Sequence, residues 1–510
     1  MDKTKDCCVK VAFYTNSAHI DRSGRLMCVV HLINSNKMCS KHSFTINQIE
    51  KLHETLLQWY DKSKRDLPWR QMVANNPDAN LRGYAVWISE VMLQQTQVNT
   101  VIDYYNRWMK KWPSVDRLAS ATLDDVNCLW SGLGYYSRAR LLHEAAKKIV
   151  NEFNGEFPQS AEVLKRTLPG VGRYTAGAIA SIAFNQCTPV LDGNVIRILT
   201  RLRRIGSPIQ LNNTMEYLWN LTTQLIHSNR PGDFNQALME FGALYCAPKN
   251  PNCIQCPLHN VDLCESFKQV VNENNSDNML PDIENCHLCI DRSVYQKSLG
   301  VMNYPVKLTK REPRKQNTLI LITYISKQDS ETLENYYLLL QRPKTGLLAG
   351  LWEFPSYTIE NDNLTNENQS AFISLILDRI ANALNCSLNQ LTSIVELMNM
   401  KSIGELLHIF SHIRMTYIVF TLKIEQQHQL TMHSDWPPNL NSGRWVSRED
   451  LNDSAISTAT RKIFSHFENY SKTSDSKINK NPRKTKRTAL HKSSSIVNDV
   501  KQPKLDDFFH

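Results

Sequence analysis

The sequence predicts two folded domains of different class, an all-α domain followed by an α+β domain, on three observations. The chain has 510 residues, more than a single hydrophobic core usually serves. From Ile49 to about Phe267 apolar residues recur at helical spacing, with Gly or Pro breaks such as "KKWPS", "NGEFPQS" and "SNRPGDF". Beyond about Arg314 the pattern changes to short strand-like runs, "NTLILITYI", "NYYLLLQRP" and "MTYIVFTLKI", with the helical "SAFISLILDRIANAL" before the last of them.

Taken in order, residues 1–44 show no clear periodicity and read as an N-terminal arm, and 45–267 are the helical domain. Residues 268–314, with "NENNSDNMLPDIENCHLC", form a connector too Asn-rich and irregular for a core of its own. Residues 315–470 are the α+β domain, and 471–510 a Ser/Lys/Asn-rich tail expected to be disordered apart from a short apolar end. The net charge is +10, and ten Lys/Arg against four Asp/Glu after Tyr470 place six of those charges in the tail. That distribution points to a nuclear or nucleic-acid-associated protein. No apolar run reaches the roughly 18 residues of a membrane span, and "DKTKDCCVK" after Met1 does not read as a signal peptide, so no membrane association is expected. The thirteen Cys therefore suit a reducing compartment, where clustered cysteines bind metal more often than they form disulfides.

Four stretches carry chemistry. "LPGVGRYTAGAIASIAF" places Gly170 and Gly172 in a turn between helices, where backbone N–H groups beside a helix N-terminus favour an anion. It is not G-x-G-x-x-G and follows no strand, which argues against a dinucleotide site; its plain structural reading is an αα-hairpin turn. Asp192 in "VLDGNVIRI" suits an N-cap, and a carboxylate at a helix start stays ionised. Glu90 in "WISEVMLQQ" reads alone as a residue on a solvated face, although its apolar flanks would raise its pKa on burial. Cys246, Cys253, Cys256 and Cys264 give C-x6-C-x2-C-x7-C, a set for either zinc or a [4Fe–4S] cluster.

The motifs "LPGVGRYTAGAIASIAF" with "VLDGNVIRI" resemble the helix-hairpin-helix, Gly/Pro-Asp signature of base-excision DNA glycosylases. "YAVWISEVMLQQTQV", "LWSGLGYYSRAR" and "FNQALMEFGALYC" narrow the resemblance to the MutY-type adenine DNA glycosylases, from about Leu56 to Phe267 and more weakly beyond. The resemblance implies an enzyme of base-excision repair that hydrolyses the N-glycosidic bond of adenine mispaired with 8-oxoguanine or guanine in duplex DNA. In that reading Glu90 is the general acid that protonates adenine and later deprotonates water, and Asp192 stabilises the oxocarbenium-like sugar. Asn194 orients Asp192 or the water, while the turn amides of Gly170 and Gly172 hold a phosphate as the nucleotide flips. Tyr174 stands where strand-cutting relatives carry a Schiff-base Lys, which implies a monofunctional enzyme. By the same matching Arg70 and Glu240 contact the flipped adenine, and Gln95 and Tyr135 wedge around the opposing base. A pyrimidine glycosylase/lyase of the endonuclease III kind and a non-catalytic DNA-binding adaptor are the alternatives. Tyr174 and the extra C-terminal domain speak against the first, and the pair Glu90 and Asp192 against the second.

For the four loop cysteines the resemblance implies a structural [4Fe–4S] cluster, with Lys249 near phosphate. The final spacing is x7 where x5 is usual, so a bulge is expected at His259 to Asp262. Animal members suggest a structural zinc ion on His42, Cys286 and Cys289, although Met279 stands where they have a third Cys; two spare thiols is the plain reading. "LLLQRPKTGLLAGLWEFPS" resembles the entry of a Nudix fold, but the helix after Gly350 lacks the paired Glu that would hold Mg²⁺. A Nudix-like lesion reader is therefore expected instead of a pyrophosphatase, with Phe410, Ser411 and His412 recognising 8-oxoguanine. In the tail, Gln502, Leu505, Phe508 and Phe509 match the pattern of sliding-clamp (PCNA) ligands, and "NPRKTKR" suits nuclear import. A checkpoint clamp on the connector, a monomeric state, and a nuclear location with a mitochondrial form complete the expectations.

Overall fold

In a computed structural model of the protein, the described residues are 17–20, 26–29, 40–275, 286–309, 312–329, 332–359, 366–389, 391, 400–424 and 443–478. They fall into two compact units. The first is built from the chain up to Ala119 and Glu144–Lys310, the second from Ser120–His143 and Arg311–Asp506. None of the described helices is long and apolar enough to cross a membrane.

The first unit is helical. Thr45 caps the helix Ile46–Ser63 with a reciprocal bond to Gln48. The helix Ala79–Leu93 is buried without interruption from Gly83 to Met92, because "GYAVWISEVM" is apolar nearly all round and so finds no solvent-facing side. Packing this helix against Arg173–Phe184 needs Gly83, whose Cβ would stand 2.7 Å from the Phe184 ring. One core cluster gathers Leu52, Leu56, Ala178, Val190, Leu199, Leu218, Phe234 and Phe241. Leu288 belongs to it too, so the described end of the connector is docked and not merely a tether. The reason is a close backbone approach: the amides of Gly206 and Ser207 both donate to the Leu288 carbonyl, at 2.7 and 3.3 Å. Any side chain at Gly206 would collide with Ile290 at 2.3 Å. Within the stretch read as an aperiodic arm, Ser17–Ile20 and Leu26–Val29 pair as an antiparallel hairpin.

The second unit is a mixed sheet with a helix on each face. Strand Arg314–Asp329 runs parallel to Ile413–Ile424 and antiparallel to Thr332–Gln341, and Lys401–Ile409 forms the far edge. The run "NTLILITYI" is buried on both sides, as expected for a central strand. Leu319 and Leu321 face the helix Asn366–Ala383, while Ile320 and Ile322 face the helix Thr458–Ile478. That last helix extends eight residues into the stretch expected to be disordered. Ser120–His143 joins this unit through side chains: the Trp352 indole donates to Asp124 at 3.0 Å, and Ser131 and Tyr136 donate to the Ile456 carbonyl at 3.0 and 3.3 Å.

Candidate active site

The turn Leu168–Gly172 links helices Ala161–Thr167 and Arg173–Phe184. Its two glycines act differently. Gly170 adopts φ +76°, the left-handed region that glycine enters freely. Gly172 has an ordinary φ of −85° and is the N-cap without a side-chain bond to the helix amides. A Cβ on Gly172 would meet nothing within 4 Å, so that side of the turn is open to an anion.

Asp192 begins the helix Gly193–Leu202. One carboxylate oxygen accepts the Val195 N–H at 2.8 Å and the other accepts the Asn194 amide at 2.7 Å. Burial raises its pKa, against the pull of those two donors and Arg197. Arg197 in turn donates to Asn194 Oδ1 at 2.8 Å, to the Gly242 carbonyl at 2.6 Å and through Nε to the Cys246 carbonyl at 2.7 Å. The helix Pro231–Leu244 can come this close only because residue 242 is glycine, whose Cβ would stand 2.7 Å from Asn194 Cβ.

Glu90 is 6 % exposed, not on a solvated face. Burial pushes it up to about 7, aided by the nearby Asp192 charge and opposed by a hydrogen bond from Tyr174. The Tyr174 hydroxyl donates to Glu90 Oε2 at 2.5 Å and lies 3.2 Å from Met239 Sδ. Beside them, Glu240 accepts the Arg65 backbone N–H and Nε at 2.9 and 2.8 Å, and Arg65 Nη2 and Arg70 Nη2 at 2.8 and 3.1 Å. Burial alone would raise Glu240, but these donors hold it down to about 2. Thus one carboxyl is set for protonation near neutral pH and another is fixed as an anion. Sequence reasoning missed Arg65, Met239 and Arg197. Arg65 lies outside the quoted motifs, and the other two sit inside them as unremarked helix residues.

Gln95 and Tyr135, the expected wedges, are exposed and both left-handed, with φ of 56° and 47°. Such a conformation is costly for a side chain that is neither Gly nor Asn and tends to cluster at functional sites. Phe410, Ser411 and His412 form the tight turn between strands Lys401–Ile409 and Ile413–Ile424. The Tyr135 hydroxyl lies 2.7 Å from Ser411 Oγ, so the second unit brings these two together.

The four loop cysteines are half-buried thiols. Burial and mutual charge push Cys253 up to about 12 and Cys256 up to about 11. Bare thiolates would therefore be unfavourable, and a bound cation removes that penalty. Arg201 Nη1 donates to Cys246 Sγ at 3.4 Å. The extra residues of the last spacing fold into the helical turn Pro257–Asn260, closed by Asp262 at φ 61°. Separately, His42, Cys286 and Cys289 place their ligand atoms within 4.8 Å of one another. His42 is 1 % exposed; its Nδ1 donates to the Arg203 carbonyl at 2.8 Å, leaving Nε2 3.1 Å from Cys289 Sγ. That tautomer is the one a metal-ligating histidine uses. Met279 and the residues Gln502, Leu505, Phe508 and Phe509 lie outside the described residues.

Residues 88–224 match the model of the HhH-GPD superfamily base excision DNA repair proteins, and residues 331–466 match that of the NUDIX domain. The adenine DNA glycosylase of Mus musculus is 44% identical over 441 residues, 84% of this chain and 80% of the relative. That of Homo sapiens is 44% identical over 83% of this chain and 76% of its own length. The Schizosaccharomyces pombe protein is 37% identical over 76% and 84%. A solved complex of the C-terminal domain of mouse MUTYH with human PCNA aligns at 27% identity and a TM-score of 0.23, over 31% of this chain and 91% of that one.

Proposed function

The chain belongs to the adenine DNA glycosylase family, and from that premise we propose that it removes adenine paired with 8-oxoguanine or guanine by monofunctional hydrolysis. It is a base-excision repair enzyme acting on DNA, with a helix-hairpin-helix domain followed by a Nudix-like one. The observation that carries the finer reading is the Glu90–Tyr174 pair. A buried carboxyl with a pKa of about 7 can hold a proton for the base, and at the position of a Schiff-base lysine there is instead a phenol that hydrogen-bonds it.

Glu90 delivers the proton that turns adenine into a leaving group. Asp192, held by Val195 N–H and Asn194, offsets the positive charge that develops at the sugar. Water then attacks, and Glu90 accepts its proton. Arg65, Arg70 and Glu240 form a fixed polar wall against which the flipped base is read. The assay that tests this reading compares duplexes with A opposite 8-oxoguanine, A opposite T, and oxidised pyrimidines, with and without alkali. Strand cleavage without alkali, or release of pyrimidines in place of adenine, overturns it.

The reader of the opposing base is Tyr135 with the turn Phe410–His412, supported by the 2.7 Å contact between Tyr135 and Ser411. Replacing both Ser411 and His412 with Ala is expected to reduce discrimination between 8-oxoguanine and guanine more than it slows excision itself. Equal losses on both mispairs, measured in single turnover, would count against this role.

Cys246, Cys253, Cys256 and Cys264 would hold a [4Fe–4S] cluster, which folds the loop and takes no part in hydrolysis. Purified protein is expected to absorb near roughly 400 nm as iron–sulfur thiolates do and to contain iron. Zinc on these four cysteines in colourless, active protein would refute the assignment. His42, Cys286 and Cys289 would hold a structural zinc ion; His42→Ala is expected to lose zinc and keep iron in elemental analysis. The PCNA-type motif and the basic stretch of the tail remain part of the proposal for a clamp-bound nuclear enzyme, as does a checkpoint clamp on the connector.

A further inference from the structure

The loop that presents Tyr135 is held by a residue of the "LWSGLGYYSRAR" stretch to which no role has been given. Between Ser131 and Tyr135 the chain turns left-handed three times, at Gly132, Gly134 and Tyr135, with φ of 99°, 74° and 47°. The two glycines adopt this freely, but a tyrosine keeps it only where its surroundings hold the peptide. The group that sets Tyr135 φ is the Gly134–Tyr135 peptide, and its carbonyl is bound from two sides. Trp130 Nε1 donates to the Gly134 oxygen at 3.0 Å, and Arg138 Nη2 donates to it at 3.1 Å. The same Arg138 nitrogen reaches the Leu133 carbonyl at 3.4 Å. The Arg138 guanidinium also lies 5.6 Å from the centre of the Tyr135 ring and 5.1 Å from that of Trp130, within the range of cation–π attraction. Arg138 stands in the first turn of the helix Ser137–Phe153, so its anchor is regular structure beside an irregular loop.

We propose that Arg138 is a positioning residue for reading the base opposite adenine: it locks the Gly134–Tyr135 peptide and the Tyr135 ring, and thereby sets the discrimination between 8-oxoguanine and guanine. The inference rests on the proposed role of Tyr135 as wedge. A planar guanidinium suits the task because one group bridges two carbonyls and lies against a ring. A lysine at 138 retains the cation and a donor but not the flat face that lies against the Trp130 and Tyr135 rings.

The test compares Arg138→Met, Arg138→Lys, Tyr135→Leu and the double variant Arg138→Met with Tyr135→Leu in the full chain. Single-turnover adenine excision is measured opposite 8-oxoguanine and opposite guanine, together with thermal melting. Arg138→Met is expected to reduce the ratio of the two rates about tenfold, while in the Tyr135→Leu background it changes that ratio about twofold or less, because coupled residues are not additive. Arg138→Lys recovers part of the ratio. Losses that multiply in the double variant, or an unchanged ratio in Arg138→Met, overturn the inference. So do two rates that fall in step with a lowered melting temperature, the behaviour of a merely structural arginine. Should Tyr135→Leu alone leave the ratio intact, the wedge reading fails first and the inference falls with it.

Discussion

Glu90→Gln is expected to abolish adenine release, by about a thousandfold or more, while binding of the mispaired duplex is retained. Gln fills the same buried space and still accepts the Tyr174 hydroxyl, so only the proton is lost. Since the acid form is the active one and Glu90 is raised to about 7, excision by the wild type should decline as pH rises through 7. Stability carries the same signature. A carboxyl whose folded pKa is above its unfolded value stabilises fully below the unfolded value, and the contribution is lost as pH rises through the folded one. Glu90 goes from an ordinary 4.5 to about 7, so between pH 4 and pH 8 the wild type forfeits about 3 kcal/mol at this residue. Gln forfeits none. The melting temperature of Glu90→Gln should therefore exceed that of the wild type, by more at pH 8 than at pH 5. Release at wild-type rate removes Glu90 from catalysis; a pH-independent difference in melting removes the burial argument.

Arg197→Met should cost both stability and turnover. Arg197 is 6 % exposed and is a donor shared by Asn194, the Gly242 carbonyl and the Cys246 carbonyl. Met fits the volume but leaves these acceptors short of a donor, a loss of about 3 kcal/mol for a buried charge-assisted network. Asn194 then loses the bond that aims its amide at Asp192, so excision should slow about tenfold or more at unchanged duplex affinity. Because the third bond goes to Cys246, one of the residues proposed to hold the cluster, iron content should drop as well. Melting, single-turnover rates and iron analysis check the three parts. Wild-type rate with full iron content would show that the network is packing alone.

The hidden part of the site was hidden for a definable reason. Glu90, Asp192, Tyr174 and the cysteines were visible because each sits in a contiguous motif. Arg65 was not, since its partner Glu240 lies 175 residues away and a single Arg in a loop has no periodicity to break. Met239 and Arg197 occupy ordinary helical positions whose neighbours in space come from other helices. The strands Lys401–Ile409 and Gly443–Val446 were also unread. The first is an edge strand that exposes Leu407 and Ile409 and lacks clean alternation; the second is only four residues long.

The two fold classes, the family, the cysteine and hairpin motifs and the two carboxylates can be read from the chain before it folds, because each depends on local spacing that survives in one dimension. Packing sets how far each carboxyl of the site is shifted, Glu90 upward and Glu240 downward. Burial of the Gly83–Met92 stretch, the residues flanking Glu90 included, lifts the Glu90 pKa to about 7. Only the tertiary structure decided that His42 meets Cys286 and Cys289 across more than 240 residues and that Tyr135 meets Ser411 across 276. Dielectric environment and long-range proximity belong to the packed chain, and the sequence encodes them only through the fold that it forms.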